Sequence, residues 1–217
     1  MKIEIFRKIA SSISFILFAV SFWSCKNSIS DGNTAVSETL QVEEETVITV
    51  GNRAITADEL FFYVKYYAIY ARDDMGDFDN WTDEFEDGFS YQNYVMNGAV
   101  QWLKYDEAVK LKAEELECIL TDEDRTRIDS QWTSLVEEYN SEESLLEEMS
   151  EYYCNEKLYK DMIGGFLLSD KCCTVMYGDN NDMKAFEDEI QSIAQERINV
   201  EFSEFYNSIN LNETKYF

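Results

Sequence analysis

The chain has 217 residues, 45% of them hydrophobic, and a formal net charge of −26 from 18 basic and 44 acidic side chains. That apolar content is enough for a buried core and argues against general disorder. The sign of the charge opposes nucleic-acid backbones and anionic membrane surfaces as partners. Histidine and proline are both absent. The first absence excludes Ser-His-Asp and Cys-His catalysis and removes the commonest zinc ligand, while the second is permissive for long helices.

The N-terminus reads as an address. "MKIEIFRK" is short and net positive, and "IASSISFILFAVSFW" is an apolar run of fifteen residues leading to Ser24-Cys25. A spanning helix needs about 20 apolar residues, so residues 1–24 suit a signal peptide better than a stable anchor. A cysteine after a small residue is similar to a bacterial lipobox, which makes Cys25 the expected lipid attachment site. Phe22 and Trp23 depart from the aliphatic and small residues usual there, so an uncleaved anchor and ordinary secretion stay open. Residues 25–45 are rich in Ser, Asn, Thr and Glu without apolar periodicity, and read as a flexible tether to a folded domain at 46–217. An extracytoplasmic, lipid-anchored place in the cell envelope follows as the expectation.

The folded part opens with a β-branched run, Thr46 to Val50, and a turn at Gly51-Asn52. Thr56 and Glu59 have capping-box spacing and start a helix to about Arg72. Leu60, Val64, Tyr67 and Ala71 lie on one face of it, and Phe61, Phe62, Tyr63, Tyr66 and Tyr70 on the others. A helix apolar almost all round is buried on several sides or offers aromatics to a partner.

Arg72 to Phe89 then carries eight carboxylates and four aromatic rings. Its acids miss the calcium-loop spacing. Counting from Asp77, Trp81 and Thr82 stand where a ligand and the obligatory Gly belong. A solvated connection is therefore expected, with Trp81, Phe85 and Phe89, spaced by four, docking from one side of a helical turn.

From Tyr91 to Cys118, the residues Tyr94, Gly98, Trp102, Tyr105, Val109, Ala113 and Leu116 make one continuous stripe. Thr121 caps a further helix, with Ile128, Trp132, Leu135 and Tyr139 in rhythm to Asn140. A short acidic helix follows in "SEESLLEEMSEYY", and Asn155 caps another carrying Leu158, Met162 and Phe166. Gly164-Gly165 should weaken that helix near its end, and "SDKCCTVMYGDNND" interrupts the pattern. A last helix near Asp182 to Glu196 leads to the strand candidate "INVEF". The expected fold is mainly α, with about five to six helices and a small sheet made by pairing the N- and C-terminal strands.

In "VITVGNRAITADELFFYVKYY", "LKYDEAVKLKAEELECILTDEDRTRIDSQW" and "SEESLLEEMSEYYCNEKLYKDMIGGFLLSDK" the chain resembles the non-catalytic chaperone domain of SurA/PrsA-type foldases over about residues 46 to 171, with a looser echo in "ERINVEFSEFYNSI". The resemblance implies a helical chaperone-like domain that holds unfolded or secreted polypeptides without cofactor or metal. Such foldases usually insert a parvulin isomerase domain where this chain has only about a dozen residues, Lys171 to Asp182. Parvulin sites typically use histidines as well. Isomerase activity is therefore not expected, although family naming would suggest a peptidylprolyl isomerase.

On the residues themselves, Phe62, Tyr66 and Tyr70, at i, i+4 and i+8, are the candidate client-binding face, because aromatic rings give large contact area at low specificity. Trp81 and Phe85 are the candidate rim. The alternative for the same helix is a core element buried from two sides. With so many acids, i, i+4 carboxylate pairs arise by chance, and no catalytic pair stands out. Cys118, Cys154, Cys172 and Cys173 lack a CxxC spacing, so they read as buried free thiols, with one disulfide permitted. A surface adhesin or ligand-binding lipoprotein on the same scaffold is the rival function.

Overall fold

A computed structural model describes residues 46–76, 78–178, 182–215 and 217. The expected signal segment, Cys25 and the tether lie outside these residues. Strand β1 (Thr46–Val50) turns back into β2 (Arg53–Thr56) through Gly51 at φ +60°, a left-handed conformation that costs glycine no Cβ clash. On the other edge of β1 lies β5 (Val200–Phe202), antiparallel, with Ile48 opposite Phe202 and Val50 opposite Val200. The sheet order is β2-β1-β5. Central β1 is the one with Val47, Ile48 and Val50 all buried. The pairing expected between the first and last strand candidates is thus present, and it joins the two ends of the helical body.

Seven helices are found among the described residues. Helix α1 (Ala57–Met75) starts at Thr56, whose hydroxyl accepts the Glu59 N–H at 3.3 Å. Only that half of the expected capping box forms, because the Glu59 carboxylate pairs with Arg53. The acidic segment after α1 is a two-stranded hairpin, β3 (Glu84–Glu86) with β4 (Phe89–Ser90). The helical turn expected for Trp81, Phe85 and Phe89 is therefore corrected. Alternating Glu-Phe-Glu has the period of a strand, and Gly88 at φ +74° makes the tight return.

Helix α2 (Tyr91–Glu115) runs through the centre, touching α1, α5 and α6. It stops short of Cys118, where Glu117 takes a positive φ of 53°. Then follow α3 (Asp122–Glu138), α4 (Glu142–Ser150), α5 (Glu156–Tyr177), α6 (Met183–Arg197) and the short α7 (Glu204–Ser208). Side-chain oxygens of Ser90, Thr121, Ser141, Asn155, Asp182 and Ser203 cap them in turn, each satisfying an amide that the helix leaves orphaned. Leu60, Val95, Leu103, Leu145, Phe186 and Ile190 are among the fully buried side chains that bind these elements together.

Two expectations about α5 fail. The helix passes through Gly164-Gly165 without a break, and it absorbs "SDKCCTVMY" up to Tyr177. Glycine is unfavourable for an isolated helix, but here it permits close approach. A Cβ on Gly164 would stand 3.2 Å from the Leu120 side chain, and one on Gly165 would stand 3.1 Å from the Asp106 carboxylate. Ser169, Cys172 and Cys173 lie on the inner face, so the apolar stripe continues in residues too small or polar to be counted in it.

The start of α3 carries a complete capping box. Asp124 accepts from the Thr121 N–H and hydroxyl, each at 2.7 Å, and also pairs with Lys171 of α5. Lys171 first, and then Thr121, hold the Asp124 carboxyl down at about 2, against about 3.9 for an unperturbed Asp. A folded-state pKa below the unfolded value gives stability that is present above pH ~3.9 and is lost as pH falls toward ~2. Urea midpoints compared across that window should fall less for Asp124→Asn than for the parent. Equal falls would show that this carboxylate is not the group responsible.

Candidate functional site

The aromatic face of α1 folds inward. Phe62 is 1% exposed and Tyr66 is 4% exposed, whereas Tyr70 is half-buried. The Phe62 ring meets Tyr63 edge-on at 5.1 Å, and Tyr66 lies 4.8 Å from the Tyr70 ring and 6.4 Å from Trp102. Burial pushes the Tyr66 hydroxyl pKa far up, and the adjacent Tyr70 hydroxyl adds to the shift. The expected open face of Phe62, Tyr66 and Tyr70 is thus corrected: two of its three rings belong to the core. The cause is that α2 packs along α1 while the sheet contacts it as well.

The expected rim divides in a similar way. Trp81 is buried, stacked edge-on against Phe78 at 4.8 Å and Phe217 at 6.0 Å, so it is a core contact. Phe85 is half-buried on the hairpin, 5.6 Å from Phe89 and 5.3 Å from Tyr91. The acids around it, Asp79, Asp83, Glu84, Glu86 and Asp87, are all exposed.

Two depressions are formed by the described residues around these elements. The first lies between α2 and α5 and is walled by Tyr63, Trp102, Tyr105 and Phe166, with Asp106 and Ser169 contributing polar atoms. Its free volume is about 20 Å³, room for about one water. The hydroxyls of Tyr105 and Ser169 are buried there without a well-formed hydrogen bond. Burial pushes the Tyr105 hydroxyl pKa up.

At the edge of this cleft Asp106 is already engaged. Arg53 Nη1 donates to Asp106 at 2.8 Å and to Glu107 at 3.0 Å, and Lys110 Nζ reaches the same two carboxylates at 2.7 and 2.9 Å. Arg53 also holds Glu59. Burial of the guanidinium opposes its charge, but Asp106 and Glu107 outweigh that effect and raise its pKa. Three carboxylates are thus paired with two cations. The network fastens β2 to α1 and α2.

The second depression lies on the outer side of α1. Lys65, Ala68, Ile69 and Arg72 form one wall, with Trp81 and Phe217 opposite, around about 190 Å³. The Lys65 ammonium is 5.0 Å from the centre of the Phe217 ring, and the Arg72 guanidinium is 5.0 Å from that of Trp81, within cation–π range. Burial pulls the Lys65 pKa down, and the charge of Arg72 lowers it further against a smaller opposing effect of Glu151.

The far wall is held in place by the C-terminal segment. Trp81 N–H donates to Asn212 Oδ1, Gln92 Nε2 donates to the Ile209 carbonyl, and Leu211 N–H donates to Gln92 Oε1, each at 2.9 Å. Residues 65, 69 and 72 share a helical face in the sequence. Their meeting with Trp81 and Phe217 has no local signal, so the groove was not legible there.

Among the described residues, no group of three or more Cys, Asp or Glu side chains is placed to hold a metal ion, and no helix is long and apolar enough to cross a membrane. The fold is that of a mainly α protein with a small antiparallel sheet. No protein-family model, curated protein or solved structure matches the chain.

Proposed function

We propose that this chain is a lipid-anchored, extracytoplasmic, chaperone-like protein that holds unfolded or secreted polypeptides and does not isomerise them. The observation that supports this reading best is the return of β5 onto β1 around a capped helical body. It agrees with the element order on which the resemblance rests. The client surface moves from Phe62 and Tyr66 to the groove that Lys65, Ile69 and Arg72 form with Phe217 over the buried Trp81, where an apolar side chain of an extended client fits between aromatic and aliphatic walls. The net charge of −26 favours clients with basic residues, while Lys65 and Arg72 put positive charge at the groove itself.

Purified protein should slow aggregation of a denatured model protein. Ile69→Glu, at a half-buried position on the groove wall, should weaken that effect severalfold while leaving the helical circular-dichroism signal intact. Absence of suppression at severalfold molar excess overturns the holding reading. Tight, selective binding of one partner with indifference to unfolded chains would instead favour an adhesin or ligand-binding lipoprotein. In a proline-peptide assay the exchange rate should stay at background.

A further inference from the structure

The sheet has an open edge. β5 pairs with β1 on one side only, and in the order β2-β1-β5 no strand lies beyond it among the described residues. The Gly51 N–H donates to the Asn199 carbonyl at 2.8 Å, and the Ser203 N–H donates to the Val47 carbonyl at 3.0 Å. Thr49 stands opposite Glu201 between them. Antiparallel strands bond through every second residue, so Asn199, Glu201 and Ser203 turn their backbone groups to β1. Val200 and Phe202 turn theirs away from it, and no backbone group of another described segment bonds to them.

The two faces of this edge differ. Phe202 stands opposite Ile48 and Val200 opposite Val50, so both side chains share the face of their cross-strand partners, and those partners are buried. Phe202 is nevertheless 49% exposed, with the Tyr206 ring 4.5 Å away. Glu201 lies on the opposite face and is exposed, as is Glu204 at the start of α7. At the edge, one face of the sheet therefore ends in an apolar ledge and the other in a carboxylate.

We propose that the outer edge of β5 takes up an extended segment of a client polypeptide as a further strand, with apolar residues on Phe202 and Tyr206 and a basic residue opposite Glu201. The substrate class rests on the holding function, and the edge adds a mode of capture. Strand addition draws affinity from main-chain bonds that almost any sequence can make, while alternate side chains set the preference. Val200 and Phe202 each offer an N–H and a carbonyl for it. A second copy of this chain fits the edge less well. Two β5 strands paired antiparallel through these groups would set Glu201 opposite Glu201, and like charges directly opposite are destabilising. The same carboxylate thus guards the edge against self-association.

The test titrates the purified full chain with a fluorescent peptide of about six alternating Lys and Val residues, the usual length of a strand. Anisotropy should report binding. Amide exchange followed by NMR should slow about tenfold or more at Val200 and Phe202, while Glu201, already bonded to β1, changes little. The same peptide N-methylated at its Val residues, whose N–H groups would face β5, should bind about tenfold more weakly. Val200→Pro removes an outward donor and leaves the β1 ladder intact, so it should weaken binding more than Val200→Ala does. Glu201→Lys should shift the preference to a peptide of alternating Glu and Val.

The proposal is overturned if the N-methylated peptide binds as tightly as its parent, or if the amides that slow lie elsewhere. It is also overturned if Val200 and Phe202 are protected in the free chain or become so with its concentration alone. Both peptides are read on the unsubstituted chain, so a misfolded variant does not decide the outcome. Aggregation suppression without peptide pairing overturns the edge and leaves the holding function standing, and pairing without suppression does the reverse.

Discussion

Phe62→Ala should destabilise the fold by about 3–5 kcal/mol, the usual cost of emptying a large buried aromatic site, and so lower the melting temperature by roughly 10 °C. The ring is 1% exposed and leans edge-on against Tyr63, which itself lines the inner cleft beside Trp102. Removing it leaves a void that rigid neighbours on α1 and α2 fill only partly. The substitution therefore separates two roles that an aromatic helix can have. A core ring lowers the melting temperature and leaves aggregation suppression per folded molecule unchanged, whereas a client-binding ring does the reverse. Thermal unfolding followed by circular dichroism, together with a suppression assay well below the variant's midpoint, distinguishes them. A melting temperature within a degree or two of the parent, with suppression lost, would return Phe62 to an open face.

Much of the architecture was legible in the sequence because it is local. Thr56, Thr121 and Asn155 mark helix starts through side chains that reach amides within one turn. The stripe from Tyr94 to Ala113 repeats with the period of a helix and lies on α2. The two strands were visible as β-branched or alternating runs, and their pairing followed from being the lone strand candidates at the two ends of a helical body.

What was missed depends on distance. The reach of α5 past Gly164-Gly165 is set by Leu120 and Asp106 on other elements, and propensity carries no information about them. The hairpin at Glu84 to Ser90 was masked because spacings of four among Trp81, Phe85 and Phe89 mimic a helical face. Its strand character lies in the Glu-Phe-Glu alternation and in Gly88.

The candidate site was less legible than the fold. Periodicity placed Phe62, Tyr66 and Tyr70 on one side of α1, but it cannot say what lies on that side. Burial there is decided by α2, through Trp102. The groove on the other side of α1 depends on Asn212 holding Trp81 and on Gln92 holding Ile209 and Leu211, contacts that span more than 100 residues.

Gly98→Ala tests the tightest of these long-range contacts and should destabilise the protein by about 2 kcal/mol. A Cβ at this position would stand 2.5, 2.7 and 2.8 Å from three atoms of the Tyr67 ring. Real Cβ atoms do not come that close, so α1 and α2 must separate or the ring must leave its rotamer. The ring has little freedom to turn. Tyr66 packs edge-on against it at 5.8 Å, and burial pushes the Tyr67 hydroxyl pKa up, with Tyr94 adding to the shift. Overpacking of this kind costs about 1–3 kcal/mol, occasionally more. Alanine's helix preference returns up to ~1 kcal/mol, which leaves a net loss. Gly164→Ala provides the contrast, since its nearest neighbour is the end of the Leu120 side chain at 3.2 Å, which can move aside. That substitution should be close to neutral or slightly stabilising in denaturant unfolding. A stabilising Gly98→Ala would mean that Tyr67 does not lie across this glycine and that α1 and α2 pack less closely than described.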